Sequence, residues 1–462
     1  MKGRSFDLLV IGSGPAGQKG AINAAKLKKS VAVVERRGVM GGVCANTGTI
    51  PSKTLREAVL YLTGFRERAF YGRNYSLKET ISLEDLSSRV NTVVAKEVDV
   101  IRAQLKRNGV TTLEGVARFV DAHTVEVDRG GEKELVQADF FLVACGTRPA
   151  HADGIPFDGQ RVLDTDQLPK LRSLPREAIV VGAGVIGIEY ASILSALNVR
   201  VTLIDQRAAF LDFVDRQIID SLSYHLRSRG LTFRLGEKVV AVCLQPDRDR
   251  VCAELESGKA VHGEILLYAV GRQPNTDLLN LEAVGLQTDG RGKLLVNAVW
   301  QTAVPHIYAA GDVIGFPALA STSMEQGRLA TSHMFGVPCR QCPEAIPYGI
   351  YTIPEISMVG PSEERLTEAR IPYEVGVARY AELAKGQMLG DEDGLLKLLF
   401  DPKSLKLLAV HCIGDRAAEI IHIGQAVLTL GATIEYFRDT VFNYPTLAEA
   451  YKVAALSGLN RL

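Results

Sequence analysis

The stretch from Phe6 to Glu35 constrains the fold more tightly than any other part of the chain. An apolar run, Phe6–Ile11, leads directly into Gly12-Ser13-Gly14-Pro15-Ala16-Gly17. An Ala-rich segment, Ala21–Leu27, follows, and a second apolar run, Val31–Val34, closes on Glu35. Strand, G-x-G-x-x-G, helix, strand and terminal acid together predict a βαβ dinucleotide unit, where a glycine triplet alone could be an unrelated turn. Gly12 permits the tight turn, Gly14 lets a pyrophosphate approach the backbone, and Gly17 lets helix and strand pack. The helix N-terminus then offers partial positive charge to the phosphates, and Glu35 can accept the hydroxyls of an adenosine ribose. The pattern recurs. Ala178–Val181 leads into Gly182-Ala183-Gly184-Val185-Ile186-Gly187, then Ile188–Leu197, then Arg200–Ile204 ending on Asp205. Two complete copies imply two dinucleotides, one a fixed carrier and one exchanging, which is the logic of a flavoprotein using NAD(P)H.

Other segments extend this reading. Thr302–Asp312 reads as a strand closing on Gly311-Asp312, followed by a helix around Ser321–Ala330; an Asp there can hold the ribityl chain of a flavin. The strand ends at Leu142–Pro149 and Leu267–Asn275 resemble each other and mark domain crossovers. The predicted fold class is α/β, with two Rossmann-like domains and a C-terminal α+β domain. An FAD domain is expected over 1–150 and 275–344, an NAD(P) domain over 151–274, and the third domain over 345–462. There, strands are predicted at Pro347–Val359, Tyr373–Ala378, Leu395–Phe400 and Leu407–His411. The charge-rich stretch Asp247–Lys259 reads as hairpins on the nucleotide domain.

Composition excludes several alternatives. Lys plus Arg and Asp plus Glu are equal at 53 each, so no net field recruits nucleic acid or an anionic membrane. No charge-free stretch of spanning length is present; the longest apolar region is cut by Glu189. A soluble cytoplasmic protein is expected. The seven cysteines, an odd number scattered over 462 residues, are no secreted disulfide framework. Cys339 and Cys342 form a C-x-x-C in a Pro-flanked loop, with no further ligands near, so no metal is expected. Cys145, at the end of an apolar strand, reads as core.

At Gly41-Gly42-Val43-Cys44-Ala45-Asn46-Thr47-Gly48-Thr49-Ile50-Pro51-Ser52-Lys53 the chain resembles the pyridine nucleotide–disulfide oxidoreductases, and it does so over its whole length with every block in order. In that family this helix carries two redox cysteines five positions apart. Here Cys44 stands at the first position and Thr49 at the second. The family's C-terminal His-Pro-Thr reads Tyr444-Pro445-Thr446, and no histidine follows His422. The thiol pair and its acid–base partner are thus both replaced, and Cys44 is left as a packing residue beside the flavin or as a thiolate.

The resemblance implies FAD contacts at Gly12, Gly14, Gly17, Glu35, Arg36, Gly41, Gly42, Cys44, Lys53, Ala117, Gly146, Gly311, Asp312 and Ala320. It implies NAD(P) contacts at Gly182, Gly184, Gly187, Glu189, Asp205, Arg207 and Gly271. Lys53 beside flavin N5 and its ion-pair partner Glu189 are the implied catalytic residues. A homodimer built on the C-terminal domain is implied, with Tyr444 and Glu449 facing the partner's flavin. With no disulfide to accept the electrons, the expected reaction is hydride transfer from NADPH to NAD⁺ through flavin N5, both nucleotides using one site in turn. The stretches Val43–Arg56, Asp415–Gly424 and Phe442–Leu462 resemble the transhydrogenating branch of the family. Asp205 suits the 2′-hydroxyl of NAD, and Arg207 either meets the 2′-phosphate of NADP or is a solvated surface charge. Oxygen or a quinone as acceptor, and a non-catalytic nucleotide sensor, are the alternatives.

Overall fold

A computed structural model describes residues 4–72, 74–171, 173–245, 249–338 and 345–462. Cys339 and Cys342 therefore lie outside the described residues. The chain divides into two compact units. The first comprises Met1–Thr54, Ser87–Ala150 and Gly271–Cys342; the second comprises Leu55–Leu86, His151–Val270 and Pro343–Leu462.

In the first unit, the strand Arg4–Ile11 lies between the parallel strands Val31–Glu35 and Glu132–Val143. Thr111–Glu114 extends the sheet beyond Val31–Glu35. The long strand Glu132–Val143 serves two partners. Its first half pairs antiparallel with Thr124–Arg129, and its last residues pair parallel with Ile307–Ala309. Every residue of Val31–Glu35 is buried, the near-continuous apolar character that a parallel strand covered on both faces requires. Strand order reverses at Arg4–Ile11, so a crevice opens beyond its carboxyl end, where ligands bind in open α/β sheets. The strand expected over Thr302–Asp312 shrinks to Ile307–Ala309. Pro305 lacks an N–H, and Thr302 Oγ1 takes up the Val304 N–H at 3.1 Å, which turns the chain instead of extending it.

The second unit repeats the arrangement. Glu177–Val181 lies between Arg200–Asp205 and Ile265–Tyr268, all parallel. Thr232–Leu235 and Val162–Asp164 complete that five-stranded sheet. The stretch beyond it forms a three-stranded antiparallel sheet of Val239–Gln245, Arg250–Leu255 and Ala260–Gly263. A second five-stranded sheet is wholly antiparallel, ordered Tyr348–Ile350, Ile356–Val359, Leu407–Ile413, Leu395–Phe400 and Glu374–Arg379. One strand was expected over Pro347–Val359; the structure has two, joined by a turn through Pro354, whose missing N–H cannot serve a ladder. Helices Ala417–Thr429 and Glu449–Leu459 share a core with this sheet, in which Phe400, Phe437 and Tyr451 are fully buried.

Candidate functional site

The first unit holds a cleft with about 1110 Å³ of empty space at the carboxyl end of Arg4–Ile11. Its wall begins with the glycine turn. Gly12 has φ +108°, a conformation open to glycine at little cost, and a Cβ there would lie 2.3 Å from the Ala144 carbonyl oxygen. A Cβ on Gly17 would fall 1.9 Å from Gly12 O, so the helix Pro15–Lys26 is pressed onto the turn. Around Gly14, by contrast, an added Cβ would meet no protein atom within 4 Å. That side of the turn faces open cleft. The helix N-terminus carries no side-chain cap and no acid in its first turn, so its free N–H groups suit a pyrophosphate.

Glu35 stands on the cleft wall beside the glycine turn. It is 6% exposed, and Oε2 accepts from Ser13 N at 3.2 Å and Ser13 Oγ at 2.5 Å. Oε1 accepts from Arg37 N at 2.9 Å. Ser13 Oγ also accepts from Gly41 N at 3.0 Å, which ties the Gly41-Gly42 turn to the first glycine loop. Gly42, Arg36 and Ala117 line the same cleft.

The wall continues with Gly146, Gly311, Asp312, Ala320, Cys44 and Thr49. Burial raises the Asp312 carboxyl above its ordinary value, against the Arg272 guanidinium and a hydrogen bond from Thr147 Oγ1 at 3.4 Å. Arg272 Nε holds that hydroxyl at 2.8 Å. Gln326 Oε1 accepts from Gly311 N at 2.9 Å, and the helix Ala320–Met334 brings its uncapped N-terminus to the wall. Burial pushes the Cys44 thiol up as well, against a hydrogen bond from Thr49 and the charge of Lys53. A cleft lined by the acids Glu35 and Asp312, with uncapped helix N-termini at its wall, fits a dinucleotide flavin: hydroxyls for the acids, phosphates for the N–H groups.

Gly17, Gly41 and Lys53 are not on this wall. Gly17 and Gly41 shape it from behind, and Lys53 is one helical turn beyond Thr49 on Thr49–Leu62. Cys145, expected in the core, lines the cleft, although burial pushes its thiol up to about 12. It lies two residues past the end of strand Glu132–Val143 and also packs against the core. Residues that the motifs did not show are Ser13, Thr147, Arg272 and Asn275. Asn275 Nδ2 donates to Cys145 O at 2.9 Å, and its Oδ1 accepts from Arg36 Nη2 at 3.4 Å.

The second unit presents a glycine turn of the same kind. Gly182 has φ +102°, a Cβ on Gly187 would lie 1.9 Å from Gly182 O, and one on Gly184 would meet nothing within 4 Å. The helix Val185–Ala196 likewise has no side-chain cap. Asp205 Oδ2 accepts from Ala183 N at 2.7 Å, as Glu35 does from Ser13. Here the acid has a second partner. Arg207 folds back on it, with Nε to Oδ1 at 3.0 Å and Nη2 to Oδ2 at 2.8 Å. Burial works to raise the Asp205 carboxyl, but these bonds and the Ala183 N–H together hold it below its ordinary value. Arg207 is thus held in an ion pair with Asp205 at the end of strand Arg200–Asp205 rather than being a freely solvated charge. Glu189 is 4% exposed, and its Oε1 accepts from Tyr351 N at 2.7 Å. Gly271 falls in the first unit, where its carbonyl accepts from Ala150 N at 3.2 Å beside the short ladder of Thr147–Pro149 with Arg272–Pro274.

Comparison with known proteins bears on both halves. Residues 6–327 match the model of the pyridine nucleotide-disulphide oxidoreductases, and residues 346–455 match the dimerisation domain of that family. A relative from Mycobacterium bovis (strain BCG / Pasteur 1173P2), named soluble pyridine nucleotide transhydrogenase, is 54% identical over 99% of this chain and 98% of its own. One of the same name from Colwellia psychrerythraea is 46% identical over 100% and 99%. Among solved structures, LpdA from Mycobacterium tuberculosis is similar with a TM-score of 0.90, at 27% identity over 98% of this chain and 99% of that one. The HOCl-induced flavoprotein disulfide reductase RclA from Escherichia coli gives 0.87 at 26% identity over 97% and 99%.

Proposed function

The chain belongs to the pyridine nucleotide-disulphide oxidoreductases, and on that premise we propose that it is an FAD-dependent pyridine nucleotide transhydrogenase passing hydride from NADPH to NAD⁺ without a redox disulfide. The observation that carries this reading is Thr49. It stands with Cys44 on the cleft wall, where a disulfide reductase of this family needs a second thiol. With no thiol pair to receive electrons, a second nicotinamide nucleotide is the simplest acceptor. The relatives' shared name over full-length alignments supports the same reaction.

FAD, when bound, supplies a centre that accepts and returns hydride at N5. The chain's residues bind and orient. Glu35 and Asp312 accept ribose and ribityl hydroxyls, and the N–H groups at the start of Pro15–Lys26 take the pyrophosphate. Lys53 supplies positive charge beside the reacting edge, and Glu189 serves the nicotinamide. The Gly182–Gly187 turn holds either nucleotide, with Asp205 for the 2′-hydroxyl and Arg207 for the 2′-phosphate. We assign FAD to 1–150 and 275–344, NAD(P) to 151–274, and homodimerisation to 345–462, in a cytoplasmic enzyme. Among the described residues, no helix is long and apolar enough to cross a membrane.

The deciding experiment is anaerobic. NADPH should bleach the flavin of the purified protein, and thio-NAD⁺ should then be reduced catalytically. Bleaching without thio-NAD⁺ reduction would instead assign the electrons to oxygen or a quinone. Arg207→Ala tests the dual reading. A lost charge-assisted hydrogen bond costs about 1.5–3 kcal/mol, so the KM for NADPH should rise about ten- to a hundredfold. The KM for NADH should stay within about threefold. Equal effects on the two would remove Arg207 from nucleotide selection.

A further inference from the structure

The three-stranded sheet of the second unit places two cysteines directly opposite each other. Cys243 on Val239–Gln245 is the ladder partner of Cys252 on Arg250–Leu255, and Cys252 is in turn the partner of His262 on Ala260–Gly263. Ladder partners in an antiparallel pair project to the same face, so thiol, thiol and imidazole form one row across three strands. Cys243 is exposed on the edge strand, Cys252 is 5% exposed beneath its neighbours, and both are free thiols. The opposite face of this sheet carries Val242, Val251 and Ala253, which pack into an apolar cluster. The row therefore lies on the side away from the core.

Geometry favours closure. Paired antiparallel residues have Cα atoms about 4.5–5.5 Å apart, inside the roughly 4.4–6.8 Å span of a disulfide. The edge strand also has a register shift between Val239 and Ala241, a local irregularity that gives it room to adjust. Chelation is disfavoured, since among the described residues no group of three or more His, Cys, Asp or Glu is disposed to hold a metal ion.

We propose that Cys243 and Cys252 are a reversible redox pair, oxidised by hydrogen peroxide to a cross-strand disulfide. The Cys243 thiolate attacks the peroxide; an S–O bond forms, the O–O bond breaks, and the leaving hydroxide takes a proton to become water. The Cys252 sulfur then attacks that sulfenic sulfur, the S–S bond forms, the S–O bond breaks, and a second water leaves. The proton that Cys252 gives up passes to the leaving hydroxide, with the His262 strand position beside it as the ladder partner of Cys252. Burial, then the charges of Glu254 and Cys243, raise the Cys252 thiol, so Cys252 resolves and exposed Cys243 attacks first. Dithiols reverse the reaction by exchange.

The test treats the full-length FAD-loaded protein with hydrogen peroxide, alkylates the remaining thiols and maps them by mass spectrometry. The expected result is a peptide pair joined through Cys243 and Cys252, lighter by two hydrogens and released by dithiothreitol. Cys243→Ser should leave Cys252 alkylatable after the same treatment. Cys252→Ser should strand Cys243 as a sulfenic acid that a dimedone probe traps. Two results would overturn the proposal: Cys243 oxidised to sulfinic acid in the unmutated protein with Cys252 still free, or a disulfide that maps to other cysteines. Flavin absorbance recorded on each sample verifies that every variant has folded.

Discussion

Lys397→Ala should destabilise the second unit by about 3–5 kcal/mol, the cost of leaving a buried charge without its partner. Lys397 is 1% exposed and Asp215 is 0% exposed, on strand Leu395–Phe400 and at the N-cap of helix Arg216–Ser228 respectively. Nζ donates to both Asp215 carboxylate oxygens at 2.9 Å and also meets Glu363. Asp215 Oδ1 simultaneously caps the helix by accepting from Gln217 N at 3.1 Å. Removing the cation strands a carboxylate that cannot reach water. The effect should be read as a lower urea midpoint for the transition that includes residues 151–270. The double change Lys397→Met with Asp215→Leu removes both charges, and should recover most of the loss apart from a cap worth about 1 kcal/mol. A single-mutant shift below about 1 kcal/mol would mean that water reaches the pair and solvates the stranded charge.

Gly184→Val should abolish most nicotinamide-nucleotide reactivity while leaving flavin content intact. Gly184 has φ −74°, so valine meets no backbone strain, and its Cβ would contact no protein atom within 4 Å. The side chain would occupy the space through which the pyrophosphate approaches. Overpacking of this kind costs about 1–3 kcal/mol, so NADPH should bind about ten- to a hundredfold more weakly. Rapid-mixing reduction of the flavin measures this directly. Gly14→Val, at the equivalent place in the first unit, should instead yield protein without flavin. Gly187→Ala should differ from both. Its Cβ would lie 1.9 Å from Gly182 O, so the fold of the second unit suffers before any ligand arrives. Unchanged NADPH kinetics in Gly184→Val would show that no dinucleotide crosses this turn.

The two cradles were legible because each is written in about 30 consecutive residues, whose turn, helix and strand depend on one another locally. The C-terminal strands Leu395–Phe400 and Leu407–Ile413 were visible for the same reason, as short apolar runs between turn residues. Thr302–His306 misled because its apolar residues looked like a strand, while one hydroxyl and one proline redirected its backbone bonds. Cys145 packs against the core as its apolar run suggested, and only the fold shows that it also lines the cleft.

Sequence alone determined the α/β class, both glycine turns, their terminal acids Glu35 and Asp205, and the substitution of Thr49 for a second thiol. These are local facts: a tight turn needs glycine, and a residue's chemistry does not depend on its neighbours in space. Tertiary structure decided what meets each acid. Thr147 reaches Asp312 across 165 residues, and Arg272 reaches Thr147 across 125, contacts that exist only once the sheet register is set. It likewise decided that Arg207 folds onto Asp205, and that Cys243 faces Cys252. Which strand lies beside which is not written in either one: apolar alternation marks the face a strand buries, but the backbone groups that pair are the same for every neighbour.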